Sequence, residues 1–376
     1  MKHAILLTIA VLTIGVGSAA AQQPVPQPQM ADALFKNIQV LKGLTVDDFM
    51  GTMGVMSASL SFCCSECHPN AGTDSVKWEE DTPRKVTARR MVTMVNALNR
   101  SSFGGRQAVT CWTCHRGKDR PPITPSIDND VYGAPRDETE DIVTAGIGQP
   151  TADQIIDRYL QALGGPQKLA AVTSYVARGA SLGFGGLGGG GDVTISAKFP
   201  NLRTTHIRFK PETGRGDVTR SFDGRTGWWQ IPLTVVSMYE LQGPELDGAR
   251  LDAQLGFPGQ IKQIFSVFRV GAPEYLNGKE MTVLQGTGPR GLLATLYFDK
   301  QTGLLARVLR YSPSPIGRVP TQVDYAEYRD VAGAGIKMPF KWTFSWLDGR
   351  DTIDIKEVQV NGPIDAAVFG KPAAGK

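Results

Sequence analysis

Apolar and polar positions along this chain follow two different periods. Between Thr45 and Leu60, the residues Phe49, Met53, Met56 and Leu60 recur at i, i+4, i+7 and i+11, which predicts one apolar face of a helix. Thr45, with Asp48 three residues on, makes a start signal, and acids in the first turn suit the positive end of the helix dipole. A second helix is predicted from Thr82-Pro83, with Thr as cap and Pro in the first turn, and it carries Val86, Met91, Met94, Val95 and Leu98. A third starts at Thr151, with Gln154 completing a capping box, an apolar face of Ile155, Ile156, Tyr159, Leu160 and Leu163, and a Gly-Gly stop. Beyond it the pattern is of strands throughout, at 193–199, 203–209, 217–222, 227–231, 291–299, 304–311, 322–328, 340–346 and 352–360. Asp223-Gly224, Lys300 to Gly303 and Asp348-Gly349 read as hairpin turns. Strand following strand predicts an antiparallel sheet curled over its leading helix, and argues against a parallel fold.

The ends and joints of these blocks come from composition. Residues 1–21 read as a signal peptide: Lys2 and His3, an apolar run from Ala4 to Val16, and an A-x-A site ending at Ala21. The apolar run is short for a membrane span, and no later segment reaches the length a span needs. Residues 22–34 form a Pro/Gln-rich, disordered lead-in, and the Pro- and acid-bearing stretch 123–149 reads as a linker between 35–122 and 150–376. The Gly-rich run from Gly183 to Gly191 lacks the Lys-Ser/Thr of a phosphate loop and reads as a flexible hairpin loop. A net charge of +4 with both signs interspersed gives no case for nucleic acid.

The chemistry is concentrated in two short runs. The chain has five cysteines and four histidines, and four of the former with two of the latter fall into Cys64-Ser-Glu-Cys67-His68 and Cys111-Trp-Thr-Cys114-His115. In C-x-x-C-H the thiols of Cys64 and Cys67, or of Cys111 and Cys114, can add to haem vinyl groups, and His68 or His115 then reaches the iron. A zinc ribbon needs its second pair closer, and a thioredoxin-like pair needs a βαβ setting that neither motif has. The expectation is therefore two covalently attached haem c groups. Cys63, abutting the first motif, reads as a spare buried thiol. Bis-histidine ligation of both irons would need two more histidines, and only His206, in a strand pattern and read as structural, remains after the signal peptide. Methionines on the helix before each motif are the alternative: Met50, Met53 and Met56, then Met91 and Met94. Each of them also reads as an ordinary core residue. Arg84, Lys85, Arg89 and Arg90 read as holders of haem propionates, as steering charges for an acidic partner, or as a solvated face.

The runs Gln39 to Met53, Thr87-Ala-Arg-Arg-Met91 and Val109 to Gly117 resemble the cytochrome c subunit of photosynthetic reaction centres. The resemblance covers about Phe35 to Pro122. It implies His/Met ligation with Met53 and Met91 as the distal ligands, and single-electron transfer between redox proteins in photosynthetic or respiratory transport. This chain has motifs for two haems where reaction-centre members have four, and it lacks the histidine that those members place before the second motif. The leading helix, Phe222-Asp-Gly-Arg-Thr-Gly-Trp-Trp229 and Asp299-Lys-Gln-Thr-Gly-Leu304 resemble the periplasmic lipoprotein-carrier and outer-membrane lipoprotein-sorting families. That likeness implies an open barrel whose groove takes an apolar ligand, or a docking module for the haem half.

Together these readings predict a multidomain α + β protein, with an N-terminal helical c-type dihaem domain and a C-terminal antiparallel β half-barrel with one leading helix. The expected setting is the periplasm, soluble or peripherally attached to a membrane or membrane complex. No catalysis is expected, because two filled axial positions leave a substrate no place on the iron. An open iron would instead give a peroxidase-like enzyme or a redox sensor.

Overall fold

The structure, a computed structural model, describes residues 28–124, 142–183, 190–211, 214, 216–232, 235–347 and 349–373. The signal peptide, most of the linker, most of the Gly-rich run and Asp348 of one predicted turn lie outside the described residues. The N-terminal part contains α1 (Ala31–Leu34), α2 (Val46–Leu60), α3 (Pro83–Ser102) and α4 (Cys111–His115). Their starts follow the sequence signals. The Thr45 hydroxyl accepts from the Asp48 amide at 3.1 Å to open α2, and Thr82 does the same for Lys85 at 3.3 Å with Pro83 in the first turn of α3. Ser61, in the left-handed region at φ 54°, ends α2.

The remainder opens with α5 (Ala152–Ala162), held by the Thr151–Gln154 capping box, and α6 (Pro166–Ala170). The first six strands are β1 (Ser174–Ser181), β2 (Asp192–Lys198), β3 (Leu202–Arg208), β4 (Val218–Phe222), β5 (Gly227–Gln230) and β6 (Met238–Glu240). Two helices follow, α7 (Gly243–Leu255) and α8 (Ile261–Ile264). The later strands are β7 (Val267–Val270), β8 (Glu274–Leu276), β9 (Lys279–Thr287), β10 (Leu293–Asp299), β11 (Leu305–Ser314), β12 (Gly317–Asp330), β13 (Lys337–Trp346) and β14 (Gly349–Val360). All pair antiparallel in one sheet, ordered β6-β5-β4-β3-β2-β1-β14-β13-β12-β11-β10-β9-β7, with β8 on β9.

Five steps across that order separate β1 from β10, roughly 24 Å if the sheet were flat. Yet Tyr175 of β1 and Phe298 of β10 belong to one buried cluster with Ile156, Tyr159 and Leu160 of α5. The sheet must curl around the helix for those side chains to meet, which is the half-barrel with a leading helix.

Two features correct the sequence reading. The region after α5 is not all strand, because α7 and α8 lie between β6 and β7 and bury Leu251, Ile261 and Ile264 against the same core. Gly248 sits in the middle of α7, where glycine weakens a helix signal. The packing requires it there, since a Cβ at this position would stand 2.2 Å from the Arg310 guanidinium carbon. The stretch 142–149 also does more than connect: Val143 is buried with Met281, Val283 and Tyr297, and Ala145 bridges to Gly271.

The helical part rests on the sheet. Val46 of α2 packs with Phe222, Tyr239 and Leu241, and Val55 packs with Ile316. Gly51 lets α2 approach β12, where a Cβ would come within 3.3 Å of Val319. A buried charge network underlies this contact. Glu245 accepts two hydrogen bonds from Arg310, at 3.0 and 2.9 Å, and Asp47 accepts from the Gln242 amide at 3.1 Å. Arg310 holds Glu245 ionised, so burial, with the Glu245 charge adding to it, pushes the Asp47 carboxyl up to about 8.

Candidate cofactor site

The first motif begins three residues after α2 ends. Cys64–Glu66 form a tight turn, and the His68 amide donates to the Cys64 carbonyl at 2.9 Å, so Cys64, Cys67 and His68 occupy one helical turn. Positions i, i+3 and i+4 of such a turn project to the same side. The start of α3 closes over it: the Thr82 hydroxyl donates to the Cys67 carbonyl at 3.1 Å, and Arg84 pairs with Glu66 and lies 4.5 Å from the Phe62 ring centroid. The His68 ring lies 5.0 Å from Trp78. Burial, reinforced by Lys85, holds this imidazole below its ordinary pKa, so it is neutral with a lone pair to donate. Its Nδ1 is buried without a hydrogen-bond partner. Cys64 is exposed and Cys67 half-buried, and burial raises the Cys67 thiol. Cys63 is exposed, with its sulfur 2.8 Å from the Ser65 hydroxyl, so the expectation of a buried spare thiol is wrong. The turn at Ser61 swings it out of the helix and away from any core.

The second motif is α4 itself. Thr110 and Thr113 cap it reciprocally, and the His115 Nδ1–H donates to the Lys118 carbonyl at 2.9 Å, which leaves Nε2 as the free ligand atom. Buried Asn99 of α3 holds the approach to it, donating to the Val109 carbonyl at 2.7 Å and accepting from the Ala108 and Val109 amides. The Gly117 amide reaches the Ser59 carbonyl at 3.0 Å, and the Cys111 amide reaches the Ile316 carbonyl at 3.3 Å. So α4 is fixed to α2 on one side and to the β11–β12 hairpin on the other. Burial raises the Cys111 thiol, and Cys114 is exposed.

The methionines divide by environment. Met50 packs into the cluster of Phe222, Tyr239 and Leu241. Met53 and Met56 are half-buried beside Val55, Val92 and Cys111. Met91 is half-buried on α3, and Met94 and Leu98 on the same arc are 49% and 38% exposed. That arc is an apolar stripe left uncovered by protein. The Arg84, Lys85, Arg89 and Arg90 quartet is mostly engaged locally: Arg84 with Glu66, Arg89 with Asp81 at 2.7 Å, and Lys85 with the Trp78 and Glu80 carbonyls. His206 lies in β3, paired with Asp217 at 3.0 Å and remote in sequence from either motif.

Two thiols on one side of each turn with a histidine beside them, a buried His68 Nδ1 without a hydrogen-bond partner among the described residues and a partly exposed Met/Leu stripe together fit a large apolar planar group with a metal at its centre. Residues 13–152 match the family model of the photosynthetic reaction centre cytochrome C subunit. This cytochrome-like segment contains both motifs, Met53 and Met91. It is similar to the photosynthetic reaction center cytochrome c subunits of Thermochromatium tepidum, 35% identical over 115 residues, and Roseobacter denitrificans, 33% identical over 100 residues. These alignments cover 28% and 25% of this chain, and the chain spans only 28% and 27% of those relatives. Over 59% of the chain, the structure is similar at 13% identity to a LolA superfamily protein from Nitrosomonas europaea and a DUF1329 family protein from Desulfovibrio piger, with TM-scores of 0.38 and 0.34. They cover 99% and 98% of those two chains.

Asn99, the Thr110 cap and the Lys118 carbonyl do not stand out in the sequence reading. Thr110, three residues before Thr113 and next to the motif, carried a capping signature; Asn99 and a backbone carbonyl carried none.

Proposed function

We propose that this protein is an exported dihaem c-type cytochrome that passes single electrons between redox partners. The observation that carries the reading is the repetition of one geometry: two thiols and an imidazole on one helical turn, each following a methionine-bearing helix. Cys64 and Cys67 would hold one haem with His68, and Cys111 and Cys114 a second with His115, and each iron would supply a ferrous–ferric couple. Met53 and Met91 are the distal ligands that the resemblance implies, and both are half-buried, whereas Met50 packs into the sheet core. The protein's part is to fix these ligands. His115 would be oriented by the Lys118 carbonyl, and Leu41, Val55 and Val92 supply an apolar wall beside Met53. With a methionine and a histidine both holding each iron, no position would be left for a substrate, which supports a carrier over a haem enzyme.

A second reading belongs to the β half. A cavity of about 50 Å³ lies under the curl of the sheet, lined by Tyr159, Tyr175, Tyr325 and Trp342; it is too small for a lipid as it stands, so a carrier role requires the half-barrel to open. Lipid recovered by extraction of the purified full-length protein would favour it.

The deciding experiment is the haem content of protein made with a cytochrome c maturation system. Two covalent haems per chain, with the far-red sulfur-to-iron band of ferric His/Met centres, are expected. Haem lost on acid-acetone extraction, or high-spin ferric irons lacking that band, would refute the carrier reading.

A further inference from the structure

We propose that the surface around the second motif docks an acidic redox protein. This rests on reading Cys111 to His115 as a haem attachment site, and it adds the kind of partner that site serves.

Charge is divided between the two motifs. Residues 28–81, with the first motif, carry eight acids and three bases; residues 82–120, with the second, carry nine bases and a single acid, Asp119. Arg84, whose pKa is raised chiefly by its hydrogen bond to Glu66, also feels the charge of Asp119, at the boundary with the first motif. Arg84, Lys85 and Arg89 are engaged locally, as described. The other six, Arg90, Arg100, Arg106, Arg116, Lys118 and Arg120, are exposed and form no ion pair among the described residues. Four of those six flank the motif within a few residues. Arg116 is held in place at the end of α4 with φ 49°. Between the flanking bases in sequence is Trp112, which lies between the two thiols and is 49% exposed, with exposed Cys114 beside it.

A half-exposed tryptophan in a run of exposed, unpaired bases has the composition of an interface centre with a charged rim. Carboxylates on a partner would meet positive charge that nothing in the described part of the chain neutralises, whereas a basic partner would be repelled. A partner docked here would bring its redox centre close to the haem that Cys111, Cys114 and His115 would hold, and one electron would pass between the two, the one centre oxidised as the other is reduced, with no bond formed and no proton moved.

The test is calorimetric binding of the haem-loaded full chain to two protein probes, a plant-type ferredoxin, which is acidic, and a mitochondrial-type cytochrome c, which is basic. Vesicles of phosphatidylglycerol and phosphatidylcholine are a third probe. The ferredoxin is expected to bind, with affinity falling about tenfold or more as ionic strength shortens the screening length from about 30 to about 8 Å. The triple variant R106E/R116E/R120E is expected to lose at least about tenfold in that affinity with its haem content and unfolding midpoint unchanged. Equal binding of the basic protein, unchanged binding by the triple variant, or binding to the anionic vesicles in place of the ferredoxin would overturn the proposal. So would ferredoxin binding that emerges only after Asp137, Glu138, Glu140 and Asp141 are changed to Asn or Gln, because the patch would then belong to the chain's own acidic stretch. Protein without covalent haem refutes the cytochrome reading itself; haem-loaded protein that ignores the ferredoxin refutes the docking alone.

Discussion

The two C-x-x-C-H runs are the same five-residue pattern in two different mountings. The first hangs in a loop between α2 and α3, its turn is tight and irregular, and its histidine is half-buried with Nδ1 enclosed and unpartnered among the described residues. The second is a capped helical turn fastened to α2, to α3 and to a hairpin of the sheet, and its histidine is oriented by a backbone carbonyl. The first lies in acidic sequence and the second in basic sequence. Equal ligand chemistry thus does not make equal sites, because the ligand atoms are set by the motif and their rigidity and charge by everything around it.

The sharpest break between the two comes from removing the thiols of one motif at a time. C64A/C67A and C111A/C114A are each expected to leave one covalent haem per chain, measured as pyridine haemochrome; a variant that loses both, or neither, would show that the motifs do not act separately. Next in size is the distal ligand. Met53→Ala and Met91→Ala should each remove about half of the far-red ferric band and lower one of the two midpoint potentials in a redox titration. Substituting Met50 should leave the band intact, since that side chain is in the sheet core.

A smaller effect separates the mountings. Asn99→Ala leaves the Ala108 and Val109 amides and the Val109 carbonyl without their partner, at a cost of about 1–3 kcal/mol. The unfolding midpoint should drop accordingly, and hydrogen exchange should quicken around 108–115 while 63–68 is unaffected. The smallest concerns the seat of α2. A carboxyl with a folded pKa near 8 stays protonated in the native state across a range where the unfolded chain has lost the proton, so stability falls as pH rises from about 4 to 8. Asp47→Asn still accepts from the Gln242 amide, and its midpoint should exceed that of the wild type most at pH 8 and match it near pH 4.

Much of this architecture was legible from local chemistry. Thr45, Thr82 and Thr151 announced three helices because capping is a matter of a few adjacent atoms, and Asp223 and Asp299 announced turns because each carboxylate binds amides two and three residues on. The two C-x-x-C-H runs stand out by spacing alone, and the structure sets each on a single turn. What escaped depends on partners distant in sequence. Helix α7 hides because Gly248 answers to Arg310 and buried Asp247 to Arg290, so its apolar face is interrupted by residues chosen for the sheet. Asn99 reads as a polar residue in a last helical turn until the backbone it holds, ten residues later, is in view. The exposure of Cys63 follows from one left-handed residue, Ser61, that no periodicity marks.

The pairing of β1 with β14 has a consequence for the order in which the molecule is completed. The middle of the sheet joins Tyr175 to Val360, near opposite ends of the β half, so it cannot close until almost the whole chain is available. A chain made from its N-terminus presents both cysteine pairs long before that moment. Even the hairpin on which α4 rests, at Ser314–Gly317, comes some 200 residues after Cys111. The thiols are therefore open to modification while their final seat does not yet exist, and closing the sheet is the step that locks the finished motifs into place.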